Sequence, residues 1–153
     1  MDNSDFKIAI LGLGIIGGSM AYALRGFKSA IIHGCDIDPD TRKKALSRGA
    51  VDKVFESPSS AIENADLVIF CTYPEQIPKQ IAENQSFFKK GAIVTDVCGV
   101  KSKLAYEIEA ALPPWAEYVG GHPMAGKETH GFDSATPEHL PPLCKYSIVS
   151  TTN

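Results

Sequence analysis

The sequence lacks any long hydrophobic run. No stretch of its 153 residues approaches the ~20 consecutive apolar residues that a membrane-spanning helix needs. The N-terminal MDNSDFK leads into a glycine-rich run instead of the apolar core and cleavage site of a secretory signal. We therefore expect a cytoplasmic protein with no membrane partner.

Cysteine is also scarce, and neither sign of charge dominates. The four cysteines form no C-x-x-C pair and are widely spread, at Cys35, Cys71, Cys98 and Cys144. This spacing argues against a disulfide framework and a zinc site, so we predict reduced, mostly buried thiols and no metal. The net charge is only −3 and gives no electrostatic reason to expect nucleic acid as a partner.

What the sequence does contain is an alternation of short, apolar, β-rich runs with helical stretches. The runs predict strands over 6–11, 29–36, 51–55, 66–73, 92–98, 116–121 and 145–150, with helices between most of them. Such alternation predicts an α/β fold with a doubly wound, mostly parallel sheet. The length fits about one domain over residues 1–153, in which 1–5 form a flexible tail.

A glycine-rich loop follows the first predicted strand and opens a helix, with the pattern G-x-G-x-x-G. In Rossmann-type dinucleotide-binding domains the first glycine permits a tight turn, the second lets the backbone approach a pyrophosphate, and the third allows close helix–strand packing. The helix N-terminus adds free N–H groups and a positive dipole end. The cofactor-binding residues predicted in this loop are Gly12, Gly14, Ile15, Ile16 and Gly17.

An acidic residue ends the second predicted strand. Asp36 lies 19 residues beyond Gly17, close to the spacing of about 20 expected for the ribose-binding acid. A carboxylate there accepts hydrogen bonds from the ribose hydroxyls and repels a 2′-phosphate, so it favours NAD over NADP. Asp38 is an alternative for this role, because predicted strand ends are uncertain by a few residues. For the glycine-rich loop itself, the alternative is a packing role in an α/β domain that binds no nucleotide.

Three further segments follow predicted strands: CTYP (71–74), DVCGVK (96–101) and GGHPMAGKE (120–128). Ligands of doubly wound sheets lie at the carboxyl ends of the strands, so we expect these segments to converge on the nicotinamide end of the cofactor. Thr72 and Asp96 are predicted to contact the cofactor there. His122 has small neighbours and open space around its ring, which suits contact with a ligand. A histidine with a purely structural role is the alternative.

The glycine loop, Asp36, DVCGVK and above all GGHPMAGKE resemble the prephenate and arogenate dehydrogenases of tyrosine biosynthesis, over essentially the whole chain. The resemblance implies NAD-dependent oxidative decarboxylation of prephenate to 4-hydroxyphenylpyruvate. It also implies a C-terminal helical domain that dimerises and supplies part of the substrate site, which is absent from this chain. We therefore expect a chain that binds NAD, is incomplete for turnover by itself, and forms a homodimer only with the helical domain.

By the same resemblance, His122 and Glu128 are the catalytic residues. His122 matches the histidine that accepts the substrate's hydroxyl proton, and Glu128 matches an acid that helps gate the pocket, although a solvated surface carboxylate is an alternative. Gly99 stands where many family members have a serine whose hydroxyl bonds near that histidine. Lys101 matches a family lysine, or is a surface charge at a helix start.

Other functions remain open. Loss of the serine hydroxyl leaves the choice between prephenate and arogenate unsettled. Two-domain dehydrogenases of the β-hydroxyacid type begin with the same glycine loop, but they give no reason for GGHPMAGKE. A non-catalytic NAD-sensing domain is the alternative from a different class.

Overall fold

The computed structural model describes residues 5–123, 129–139 and 147–149. The strands within these residues are β1 (Lys7–Leu11), β2 (Ile31–Cys35), β3 (Lys53–Phe55), β4 (Leu67–Phe70), β5 (Ile93–Asp96), β6 (Glu117–Tyr118), β7 (Gly120–His122) and β8 (Ser147–Val149). Six of them form one sheet in the order β3-β2-β1-β4-β5-β6, and every pairing in it is parallel. The predicted parallel, doubly wound architecture is confirmed.

Helices connect the strands and cover both faces of the sheet. They are α1 (Ile15–Ala23), α2 (Pro39–Ser47), α3 (Pro58–Ile62), α4 (Ile77–Glu83) and α5 (Ser102–Ala111), supplemented by short 3₁₀ turns. Within the part of the chain that the structure describes, no helix has the length and apolar character to cross a bilayer.

The core lies in two layers, one on each face of the sheet. Alternate residues of β1 show this division, because side chains of a strand point to opposite faces in turn. Ile8 and Ile10 pack with residues of α1 and α2, whereas Ala9 and Leu11 pack with residues of α3, α4 and α5. A central strand buried on both faces explains why these apolar runs are continuous in the sequence.

The strand predicted over 116–121 is wrong as a single element. The amide of Val119 donates to the carbonyl of Val94, after which the chain leaves the parallel sheet. Gly120 begins β7, which pairs antiparallel with β8 in a separate two-stranded sheet. The apolar pattern runs through this change of partner without a break, because periodicity records which residues are buried and not which strand they pair with.

The first helix begins at Ile15, inside the glycine-rich loop, and ends at Ala23. A turn follows at Gly26, whose φ of +82° lies outside the helical region. The predicted tail, 1–5, lies outside the described residues except for Asp5.

His33 is a buried polar residue on β2, the strand between β3 and β1. Its side chain is only 5% exposed, and its ring centroid lies 5.0 Å from that of Phe55. The Nδ1 atom has no hydrogen-bond partner among the described residues. Burial lowers the pKa of His33 below its ordinary value of 6.5, since the charged imidazolium loses solvation.

His33 should therefore make folding sensitive to acid. Between the lowered pKa and 6.5 the unfolded chain binds more protons at this residue, so the free energy of unfolding decreases as pH falls through that window. In His33→Leu, the free energy of unfolding measured by urea denaturation should decrease less between about pH 7 and pH 5 than in the wild type. An unchanged slope in His33→Leu would contradict the assignment.

Candidate functional site

A cavity of about 520 Å³ opens at the carboxyl ends of the parallel strands. It lies where the strand order reverses between β1 and β4, the place where doubly wound sheets bind their ligands. Seven of the eight residues predicted to bind a cofactor line it: Gly12, Gly14, Ile15, Ile16, Gly17, Asp36 and Thr72. The fold thus brings together residues from three separate loops.

Each glycine of the loop meets a different geometric demand. Gly12 has a φ of +91°, and a Cβ atom on it would lie 2.7 Å from the carbonyl oxygen of Cys71. A Cβ on Gly17 would lie 1.8 Å from the carbonyl oxygen of Gly12. A Cβ on Gly14 would meet nothing within 4 Å, so this backbone faces open space in the cavity. The turn and packing roles predicted for Gly12 and Gly17 agree with these contacts.

Asp36 lines the cavity and also shapes its rim. One carboxylate oxygen accepts the amide of Leu13 at 2.9 Å, and the other accepts the amide of Asp38 at 2.9 Å. The side chain therefore ties the glycine loop to the end of β2 while remaining at the cavity surface. Asp38 instead caps α2 by accepting the amides of Asp40 and Thr41, and it does not line the cavity.

The loop after β4 forms the opposite wall. The hydroxyl of Thr72 donates to the side-chain oxygen of Gln80 at 2.9 Å, which joins the loop to α4. Tyr73 and Gln76 also line the cavity. Sequence reasoning missed Gln80. The signal that could have identified it is a polar amide side chain in a helix that begins at the cavity.

A third wall comes from His130 and Gly131. Phe132 anchors this wall, since a Cβ on Gly18 would lie 2.7 Å from its ring. Asp133 adds ion pairs to Lys44 at 2.6 Å and Arg48 at 2.9 Å. Sequence reasoning did not predict that Phe132 anchors this wall, although Gly18, the extra glycine of the loop, was a signal for close packing.

Asp96 is the one predicted cofactor residue that does not line the cavity. Its side chain is fully buried at the end of β5. It accepts hydrogen bonds from the backbone amide of Cys98 at 2.7 Å and from the hydroxyl of Tyr118 at 2.5 Å, and it forms an ion pair with Lys101. The structure thus turns this carboxylate toward neighbouring protein groups, and it places Lys101 in an ion pair instead of on the open surface.

His122 is partly buried at the end of β7, beside the loop that follows β5. A Cβ atom on Gly99 would lie 3.3 Å from both Cε1 and Nε2 of the imidazole. Gly99 also lines a groove of about 390 Å³, and Pro74 lines both this groove and the larger cavity. Described residues of the three segments, Pro74, Gly99 and His122, therefore lie in one region, whereas Glu128 lies outside the described residues.

The thiols near the site are poorly suited to act as nucleophiles. Cys35, Cys71 and Cys98 are free, and Cys144 lies outside the described residues. Burial, reinforced by the neighbouring carboxylate of Asp96, raises the pKa of Cys98 to about 11. Burial likewise raises the pKa of Cys71. Both groups are therefore protonated at neutral pH.

The parallel sheet, the glycine turn and the strand-end carboxylate define a Rossmann-type dinucleotide-binding domain. Comparison with known families then gives the particular one. The family model described as "Prephenate dehydrogenase, nucleotide-binding domain" matches residues 20–141. The chain belongs to this family, as the resemblance of its motifs indicated.

Two curated relatives show the same relationship. The chain is 35% identical to prephenate dehydrogenase of Bacillus subtilis over 137 residues, which cover 88% of this chain and 37% of that protein. It is 30% identical to cyclohexadienyl dehydrogenase of Zymomonas mobilis, over 86% of this chain and 45% of that protein. The chain thus spans less than half the length of these relatives.

Solved structures agree with the sequence comparison. Prephenate dehydrogenase from A. aeolicus, solved with hydroxyphenyl propionate and NAD⁺, superposes with a TM-score of 0.80 at 31% identity. That alignment covers 93% of this chain and 50% of the A. aeolicus chain. Arogenate dehydrogenase from Synechocystis gives a TM-score of 0.77 at 32% identity, over 86% of this chain and 45% of its own.

Gly14 and Gly17, the second and third glycines of the motif, should respond differently to substitution by alanine. Gly17→Ala forces a methyl group into the Gly12 carbonyl, so the free energy of unfolding should fall by about 2 kcal/mol or more. Gly14→Ala meets open space and should change stability by no more than about 0.5 kcal/mol, while weakening dinucleotide binding because the methyl enters the cavity. Urea denaturation and cofactor titration measure the two effects. Equal stability losses would contradict the packing role of Gly17.

Proposed function

We propose that this chain is the cofactor domain of an NAD-dependent dehydrogenase that converts prephenate to 4-hydroxyphenylpyruvate. One observation carries the proposal: the ring of His122 lies beside Gly99, and Gly99 lines a groove that shares Pro74 with the dinucleotide cavity. This arrangement supports a role for the imidazole near the reactive end of a bound dinucleotide.

The residues present fit NAD. Open space at Gly14 would admit a pyrophosphate, and the carboxylate of Asp36 would accept hydrogen bonds from the adenosine ribose hydroxyls. No lysine or arginine lines the described cavity, which would leave a 2′-phosphate next to a carboxylate without a countercharge. The nearby Arg42 donates to the backbone carbonyls of Asp36 and Ile37 and does not line the cavity.

In the proposed reaction, His122 acts as a general base. A neutral imidazole would accept the proton of the substrate hydroxyl while the carbinol carbon loses its hydrogen as hydride, so that the oxygen becomes a carbonyl. Bound NAD would supply the hydride acceptor. Carbon dioxide then leaves the ring, its bonding electrons make the ring aromatic, and the phenolic oxygen takes back a proton.

The substrate's carboxylates need cationic partners, which arginine supplies best. The three arginines are occupied elsewhere: Arg25 pairs with Asp52, Arg42 bonds to backbone carbonyls, and Arg48 pairs with Asp133. We therefore propose that residues outside the described part of this chain bind these carboxylates. From the resemblance of the motifs, we propose that a helical domain supplies these residues and forms the homodimer. We also propose that the enzyme works in the cytoplasm.

Arogenate is the second candidate substrate. One of the relatives solved as a structure is an arogenate dehydrogenase, and Gly99 contributes no hydroxyl beside His122. Parallel assays of both substrates distinguish the two activities. The non-catalytic alternative would give NAD binding with no turnover of either compound.

The cofactor preference tests the role of Asp36. The chain should bind NAD more tightly than NADP, and Asp36→Ala should narrow the difference because the repulsion of the 2′-phosphate is lost. Isothermal titration with both cofactors measures the ratio. Asp38→Ala is the matched control, since it removes a helix cap without changing the cavity lining and should preserve the ratio. Equal affinities in the unmodified chain would reject the ribose assignment.

His122 should matter for chemistry and not for cofactor binding. In this chain joined to the remaining part of the Bacillus subtilis relative, His122→Asn should lower kcat with prephenate by roughly 10²–10⁴, the range for a positioned acid–base group. NAD affinity of the chain should change little, because His122 does not line the dinucleotide cavity. Near-normal turnover of the variant would remove His122 from the mechanism.

A further inference from the structure

Asp96 holds both ends of the loop that connects β5 to α5. Its Oδ1 atom accepts the backbone amide of Cys98 at 2.7 Å and also pairs with the ammonium group of Lys101. Both partners are local in sequence, and the side chain of Lys101 is only 10% exposed. The loop is therefore closed by two contacts on a single buried oxygen, with Gly99 between the two attachment points.

The second oxygen of Asp96 ties this loop to the strand that leads toward His122. The hydroxyl of Tyr118 donates to Oδ2 at 2.5 Å, across the pairing of β6 with β5. Tyr118 lies four residues before His122, and only Val119 separates β6 from β7. One carboxylate thus restrains the loop on one side of the imidazole and the strand that carries the imidazole on the other.

Because Gly99 lies beside His122, the restraint that Asp96 puts on the loop also affects the space around the imidazole. A Cβ atom added to Gly99 would lie 3.3 Å from two ring atoms, which is closer than ordinary van der Waals packing. A shift of the loop by a few tenths of an ångström would therefore change the space open to the ring. Because Gly99 has no side chain between the loop and the ring, a displaced loop backbone would enter or vacate the space beside the imidazole.

We propose that Asp96, together with Lys101 and Tyr118, positions the His122 imidazole and does not bind the cofactor. This inference rests on the proposed function, because it assigns a purpose to the position of the proposed base. It replaces the sequence-based expectation of a cofactor contact, since Asp96 is fully buried and does not line the dinucleotide cavity.

Electrostatic interactions also stabilise the contacts that Asp96 makes with Lys101, Tyr118 and the amide of Cys98. A buried carboxylate is tolerated when a cation and hydrogen-bond donors surround it, and here an ammonium, an amide and a phenol do so. Burial and the bond to Asp96 raise the pKa of Tyr118, so the phenol keeps its proton and remains a donor. Removal of one donor leaves charge less well compensated and favours rearrangement of the loop.

The test uses the imidazole ¹H–¹³C spectrum of the 153-residue chain, which contains four histidines. His122→Asn assigns the His122 signal. Tyr118→Phe removes only the hydroxyl, and it should shift the His122 signal while those of His33 and His130 stay in place. Asp96→Asn should shift it further. NAD affinity should remain within about twofold in both variants, as neither side chain lines the cavity.

Asp66→Asn is the matched control. Asp66 also accepts a backbone amide, that of Lys7 at 2.9 Å, and pairs with a lysine ammonium, that of Lys89 at 2.5 Å, but it precedes β4 at the amino edge of the sheet. This variant should leave the His122 signal unchanged even if it lowers stability. If the His122 signal of Asp66→Asn shifted as much as that of Tyr118→Phe, a general loss of stability would be enough to move the ring. That result would overturn the proposal.

Two other results would also overturn it. The first is an unshifted His122 signal in Tyr118→Phe, which decides the matter even if Asp96→Asn does not fold. The second is at least a tenfold loss of NAD affinity in Asp96→Asn with the His122 signal in place, which would restore the cofactor contact. In the chain joined to the rest of the relative, the Asp96 and Tyr118 variants should lower kcat without raising KM for NAD. The spectra remain informative even if no turnover is found. Failure of the proposed function can therefore be distinguished from failure of the positioning role of Asp96.

Discussion

The close approach of the first turn to the end of β4 is the constraint on which the rest of the site depends. The amide of Gly12 donates to the carbonyl of Cys35 at 2.8 Å, and the amide of Cys71 donates to the carbonyl of Leu11 at 2.7 Å. No side chain fits at Gly12, because the Cys71 carbonyl occupies the space. The turn therefore joins three strand ends and opens the cavity at the reversal of strand order.

Two aspartates at the same edge of the sheet show how environment separates their roles. Asp36 accepts backbone amides while it remains at the cavity surface, so its carboxylate can meet a ligand. Asp96 is enclosed by Lys101, Tyr118 and the amide of Cys98, so its charge is satisfied by the protein. Strand-end position alone does not distinguish the two, since the distinction depends on which neighbouring strand supplies partners.

The sequence was sufficient for the parts of the fold that local chemistry dictates. Residues such as Gly12 and Asp36 were predicted because the motif and its spacing describe one βαβ unit, whose contacts are close in the chain. The continuous apolar runs of β1 and β4 in the sequence reflect burial on both faces of the sheet. The division of 116–121 into β6 and β7 was not predictable in the same way, because strand pairing is a long-range choice.

What the sequence by itself determined was the class of the domain, the turn that admits a dinucleotide, and the histidine to examine. Tertiary structure decided that Gln80 joins Thr72 in one wall, that Phe132 anchors another through Gly18, and that Gly99 lies against His122. Those contacts join residues as many as 114 positions apart. Periodicity and motif spacing report local geometry, whereas such contacts arise only when the sheet assembles and its loops meet at one edge.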